Sequence, residues 1–129
     1  MSAGLYRMRI SIPRFAFGSR PPLPPVPLEH ETLLEAVTEA ILARQLDPAE
    51  QTLRIMVGSG SKDAATLNLM GALCELRGDW KSARKNYGRA MSADRSYEPA
   101  QQNMRRWYEL FTFGGTSEPL ALHETMLLR

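Results

Sequence analysis

The 129-residue chain has a single cysteine, Cys74, which excludes an internal disulfide and a multi-cysteine metal site. Its two histidines, His30 and His123, are too few for a catalytic zinc centre. No apolar run approaches the ~18 residues that a membrane-spanning helix needs. Phosphate-binding and nucleophile-elbow fingerprints are missing. Gly58-Ser59-Gly60-Ser61-Lys62 comes nearest to a phosphate loop, but it lacks the preceding strand and the Gly-Lys-Ser/Thr ending, so it reads as a helix–helix turn. His123-Glu124 does not open an H-E-x-x-H motif, because position 127 is leucine. Cys74 stands at apolar helical spacing and reads as a small buried hydrophobe rather than a nucleophile. No enzyme, cofactor or metal site is expected.

What is present is an uneven charge. The net charge is +2, yet residues 1–28 carry Arg7, Arg9, Arg14 and Arg20 and no acid, leaving a net −2 for the rest. This basic arm reads as a solvated or docking arm, as an Arg-rich organellar presequence, or as a contact for nucleic acid or an anionic membrane. A secretory signal is not expected, since residues 1–17 have no apolar h-region. Tyr6, Met8, Ile10 and Ile12 alternate with polar residues, so the segment is either irregular or a strand that adds to a partner's sheet. Five prolines in residues 21–27 predict a polyproline II spacer, or a PxxP ligand.

From residue 28 onward the apolar residues recur at helical spacing. The pattern predicts helices over 28–44, 47–57, 63–77, 80–93 and 98–111. Thr32 to Glu35 could be a capping box of the first, Asp47 a cap of the second and Asp79 a cap of the fourth. Met104, Trp107, Tyr108 and Phe111 form the expected apolar stripe of the fifth helix. Met56, Met70 and Met91 also fall at core spacing. Ser117-Glu118-Pro119 is read as the start of a last short helix ending near Leu128. Short turns between helices of this length favour antiparallel packing of neighbours.

A period of 34 residues runs through this pattern. Counting from Ala64, the positions Leu67, Met70, Gly71, Cys74, Ala83, Tyr87 and Ala90 place large, small and aromatic residues in an order that resembles the tetratricopeptide repeat (TPR) closely. Cys74 stands where that family usually has tyrosine, and Arg95 where it often has proline. Shifting back by 34 gives a degenerate repeat with Leu33, Ala36, Val37, Ala40, Ala49, Leu53 and Met56. Shifting forward gives one helix from Glu98, a capping helix.

The expected fold is therefore all-α: a short TPR-like stack of helical hairpins, an α-solenoid, with an extended proline-rich N-terminal arm. Residues 1–28 form the arm, 29–116 the helical domain and 117–129 a tail or short helix. About three units are needed for a stable stack, so the apolar tail either covers the stack's exposed end or docks on another subunit.

The resemblance implies a non-enzymatic protein-interaction module, an adaptor or assembly subunit. Its first helices would line a concave groove for a partner's extended peptide or helix. Carried onto this chain, the groove is offered by Leu34, Thr38, Asn68, Ala72, Glu75, Gln102 and Arg106. Asn68 and Gln102 suit main-chain recognition, because an amide both donates and accepts. The family's carboxylate clamp is expected to be absent, since Leu34, Thr38, Leu69, Pro99 and Asn103 stand at its places and supply no cation. Arg7, Arg9, Arg14 and Arg20 would form a second contact. The alternatives are a nucleic-acid or anionic-surface binder acting through that arm, with nucleic acid the less expected partner, and a secretion-type chaperone. A homo-oligomer is possible. The expected location is cytoplasmic, with an organelle as the alternative.

Overall fold

The computed structural model describes residues 26–123 and 126–128. Arg7, Arg9, Arg14 and Arg20, the alternating segment and nearly all of the proline spacer lie outside the described residues. Five helices follow one another: α1 (Val26–Leu42), α2 (Leu46–Gly58), α3 (Ala64–Leu76), α4 (Trp80–Ala93) and α5 (Glu98–Phe113). A small antiparallel hairpin, β1 (Leu120–His123) and β2 (Met126–Leu128), closes the chain. The helices form an all-α stack of hairpins. α1 packs on α2 and α3 on α4, while α5 lies against α4 and α3 without a return helix of its own. α2 and α4 begin 34 residues apart, and so do α3 and α5. No helix among the described residues is long and apolar enough to cross a membrane.

Local chemistry sets most of the boundaries. Asp63 caps α3, its carboxylate accepting from the Thr66 amide at 3.3 Å and the Thr66 hydroxyl at 2.7 Å. Asp79 caps α4 through the Ser82 amide at 3.1 Å. Between these helices Gly78 takes the left-handed conformation, φ 84°, that ends α3. Three expectations are corrected. α1 starts at Val26, because Pro27 fits a first turn whose N–H groups have no partner anyway; the capping box at Thr32 is thus inside the helix. α2 starts at Leu46 with Gln45 at the cap position and no side-chain bond. Asp47 turns instead to Arg77, at 2.6 Å.

α3 is the central helix. Ten of its thirteen residues are buried, so it is apolar on nearly every side. It meets α4 at very close range at Gly71, where an added Cβ would stand 2.5 Å from the Tyr87 ring and 3.2 Å from the Ala83 carbonyl. That explains the small residues at 71 and 83. The main core joins Leu34, Val37 and Ile41 of α1 to Ala49, Leu53 and Met56 of α2 and to Leu69, Ala72 and Leu73 of α3. Leu120 and Leu122 of β1 belong to the same cluster.

Two further expectations fail on tertiary grounds. The predicted apolar stripe of α5 does not face the core. The residues α5 buries are Pro99, Ala100 and Asn103, whereas Tyr108 and Phe111 are 61% and 57% exposed. The tail is neither a helix nor a cover for the end of the stack. It is a hairpin pairing Leu120 with Leu128, Ala121 with Leu127 and His123 with Met126. β1 enters the concave side between α1, α3 and α5 and is buried at all four residues. The extended strand leaves main-chain groups free to bond, and Asn68 and Asn103 satisfy them, whereas a helix would pair those groups within itself.

Gly71→Ala is expected to destabilise the fold by about 1–3 kcal/mol, the usual cost of overpacking, read from urea or thermal unfolding. Asp63 supplies a pH-dependent term. Burial pushes its carboxyl up, but hydrogen bonds from Thr66 and the neighbouring His30 outweigh this and hold it below the ordinary value. Its contribution is therefore full above the ordinary carboxylate range and is lost as pH falls through the lowered native value. Asp63→Ala is expected to cost about 1 kcal/mol at pH 7. The gap to the parent chain should narrow as pH drops below about 4.

Candidate functional site

The concave side carries the residues that the sequence points to, and it is occupied by the chain's own residues 118–123. Asn68, in the middle of α3 and fully buried, donates from Nδ2 to the carbonyls of Ala121 at 3.1 Å and Leu122 at 3.0 Å. Asn103, on α5, binds both main-chain polar groups of Ala121. Its Nδ2 donates to the Ala121 carbonyl at 2.7 Å and its Oδ1 accepts from the Ala121 amide at 2.8 Å. The same Nδ2 donates to Asn68 Oδ1 at 2.9 Å, joining the two amides. Gln102 donates to the Pro119 carbonyl at 2.7 Å, and Arg106 Nε to the Glu118 carbonyl at 3.0 Å. Four side chains on two helices thus read the main chain at Glu118, Pro119, Ala121 and Leu122.

Arg106 is itself fixed from below. Its Nη1 lies 2.6 Å from Glu75 Oε2, and both side chains are nearly buried. The other oxygen of Glu75 accepts from the Tyr87 hydroxyl at 2.8 Å. Burial and the Glu75 carboxylate push the Tyr87 phenol well above its ordinary value, so it stays protonated and donates. The α3–α4 contact at Gly71 and the tail contact at Glu118 are therefore linked through Tyr87, Glu75 and Arg106.

The far end of β1 is held by His123. Its Nε2 lies 2.7 Å from Glu31 of α1 and its Nδ1 lies 2.9 Å from the Tyr97 hydroxyl, ahead of α5. His123 itself is buried.

The groove residues carried over from the resemblance separate into three groups. Asn68, Gln102 and Arg106 bind the tail's main chain, and Glu75 positions Arg106. Leu34 and Ala72 are buried in the core cluster that Leu120 and Leu122 complete. Thr38 directs its hydroxyl to the Leu34 carbonyl of its own helix, at 2.8 Å, and contributes no groove bond. Asn103 is the residue that the sequence reading misses as a groove donor, although it makes as many bonds as Asn68. Its signal is an amide next to Gln102 on a helix whose other buried residues are Pro99 and Ala100.

A second concavity, about 300 Å³, lies between α2 and α3 against Leu53, Met70, Leu73 and Cys74. Burial and the nearby Asp79 push the Cys74 thiol up, which keeps it protonated and a poor nucleophile. Glu50 at its rim is engaged by Arg54 and Arg77. No cluster of three or more metal-ligating side chains exists among the described residues.

No family model, curated protein or solved structure matches the chain.

Asn103→Ala would take from the Ala121 amide and from Asn68 Oδ1 the partner that Asn103 supplies, at roughly 1–3 kcal/mol for each buried group left unpaired. The expected result is a lower unfolding midpoint together with selectively faster hydrogen exchange at the Ala121 amide. Unchanged exchange there would remove Asn103 from the groove's reading of the tail.

Proposed function

We propose that this chain is a non-enzymatic protein-interaction module of the tetratricopeptide kind, a small adaptor or assembly subunit whose groove binds an extended segment by its main chain. The observation that carries the reading is the set of bonds from Asn68, Gln102, Asn103 and Arg106 to the peptide groups of residues 118–122. Such contacts are indifferent to side-chain identity. Selection comes from the apolar seats of Leu120 and Leu122, which are 3% and 0% exposed. The favoured ligand is an extended segment with leucine-like residues flanking a small one. In the isolated chain this ligand is supplied in cis, and a partner enters by exchange with it.

Exchange is costly. Burial of two leucines stabilises by about 3–6 kcal/mol, a large share of a net stability of ~5–15 kcal/mol. Only a segment that refills both seats can replace the tail. A second copy of this chain carries one, so tail exchange between copies is one route to a homo-oligomer. The proposed setting is cytoplasmic, where an unpaired Cys74 stays reduced.

The test supplies a fluorescent peptide of residues 117–129 in trans. The parent chain should bind it weakly and slowly, because the cis tail competes. Leu122→Ala should loosen the cis tail by about 2–5 kcal/mol and raise the peptide's apparent affinity at least tenfold. Adding Asn103→Ala should reverse the gain. No binding to a Leu122→Ala chain whose circular dichroism is still helical would overturn the proposal.

A further inference from the structure

α5 begins as α1 and α3 do, as the first helix of a hairpin, but its return helix is missing. After Phe113 the chain turns at Gly114, φ 78°, and runs into the groove instead. Among the described residues, nothing covers the face on α4 and α5 that a return helix would take. It is a cleft of about 800 Å³ lined by Trp80, Lys81, Arg84, Lys85, Trp107 and Phe111. Trp107 and Phe111 belong to the apolar stripe that the sequence assigns to the core. Its spacing along α5, with Met104, Trp107, Tyr108 and Phe111 at i, i+3, i+4 and i+7, matches the seam against which a second helix packs.

The rings are already ordered. Trp107 stacks on Phe111 at 4.3 Å, Phe111 meets Trp80 edge-on at 5.7 Å, and Trp107 Nε1 donates to the Trp80 carbonyl at 2.9 Å. The surface is thus pre-organised, which lowers the entropy lost on docking. Its rim is cationic. Among the described residues, Lys81, Arg84 and Lys85 have no carboxylate within ion-pair distance. Asp79, the acid bordering the cleft, is occupied as the cap of α4.

We propose that this α4–α5 face is a second docking surface, separate from the groove, for an acidic amphipathic helix of a partner protein that packs where the missing return helix would lie. Charge selects this occupant over the others. A second copy docked face to face would bring both sets of Lys81, Arg84 and Lys85 together. The chain's own residues 1–25 carry four arginines and no acid, and are repelled in the same way. A single-stranded nucleic acid would need free ring faces for its bases. Trp107 already stacks on Phe111 and holds Arg84 over its ring at 5.4 Å.

The test uses the full chain and a synthetic helical peptide with a leucine seam flanked by glutamates. Controls are the same peptide with lysine flanks, a single-stranded oligonucleotide, and sedimentation of the chain alone. Tryptophan fluorescence should report binding of the glutamate peptide that weakens with salt. Arg84→Glu with Lys85→Glu should weaken it about tenfold or more, because the peptide's glutamates then meet like charge. Phe111→Ser should weaken it similarly. Both variants change exposed positions, and circular dichroism checks that they remain folded. An excess of the 117–129 peptide should not displace the glutamate peptide, which separates failure of this face from failure of the groove. No binding of the glutamate peptide, equal binding of the lysine peptide, tighter binding of the oligonucleotide, or a dimer dispersed by Phe111→Ser would each overturn the proposal.

Discussion

The peptide groups of residues 118–122 lie among three helices, and a peptide group removed from water must find a partner or cost several kcal/mol. β2 serves one edge of the strand. The other edge faces helices, whose own main-chain groups are already paired within the helix. Side-chain amides supply the missing partners. Asn68 and Asn103 bond to each other and to the main chain of Ala121, so each holds the other in the orientation that the strand requires. A strand can occupy the centre of this helical stack because those two asparagines stand where they do.

The rest of the structure hangs on that arrangement. The core of α1, α2 and α3 is open on its concave side until Leu120 and Leu122 fill it. The buried Glu75–Arg106 pair is balanced by the Tyr87 hydroxyl on one side and the Glu118 carbonyl on the other. Gly71 brings α3 and α4 close enough for Tyr87 to reach Glu75. Cap, close approach, ion pair and tail contact form one connected path rather than four separate features.

The two faces of α5 follow from the same choice. Its groove side carries Asn103, Gln102 and Arg106 and is covered by the tail. Its outer side carries Trp107, half-buried against Trp80 and Arg84 of α4, and Tyr108 and Phe111, which stay exposed among the described residues. Residues that could have returned as a sixth helix over those rings enter the groove instead. One segment cannot do both, so closing the concave face leaves the outer face open.

Periodicity, caps and small residues made the five helices legible from the chain alone. Asp63, Asp79 and Gly78 act within a few residues of themselves, and the 34-residue spacing is a property of the string. Asn68, Gln102 and Arg106 were legible as groove residues because repeat register fixes which side of a helix a position takes. The tail was not legible as a strand. Leu120, Leu122, Met126 and Leu128 fit a helix as well as a hairpin, and what decides between them is the set of main-chain partners that Asn68 and Asn103 offer between the helices. Nor was the outward face of α5, since an apolar stripe in sequence does not say whether another element exists to cover it. Sequence by itself determined the local elements, their order and the groove side, through interactions spanning a turn or two. Tertiary structure alone decided what fills the groove and what stays exposed, because both depend on groups far apart in the chain competing for the same space.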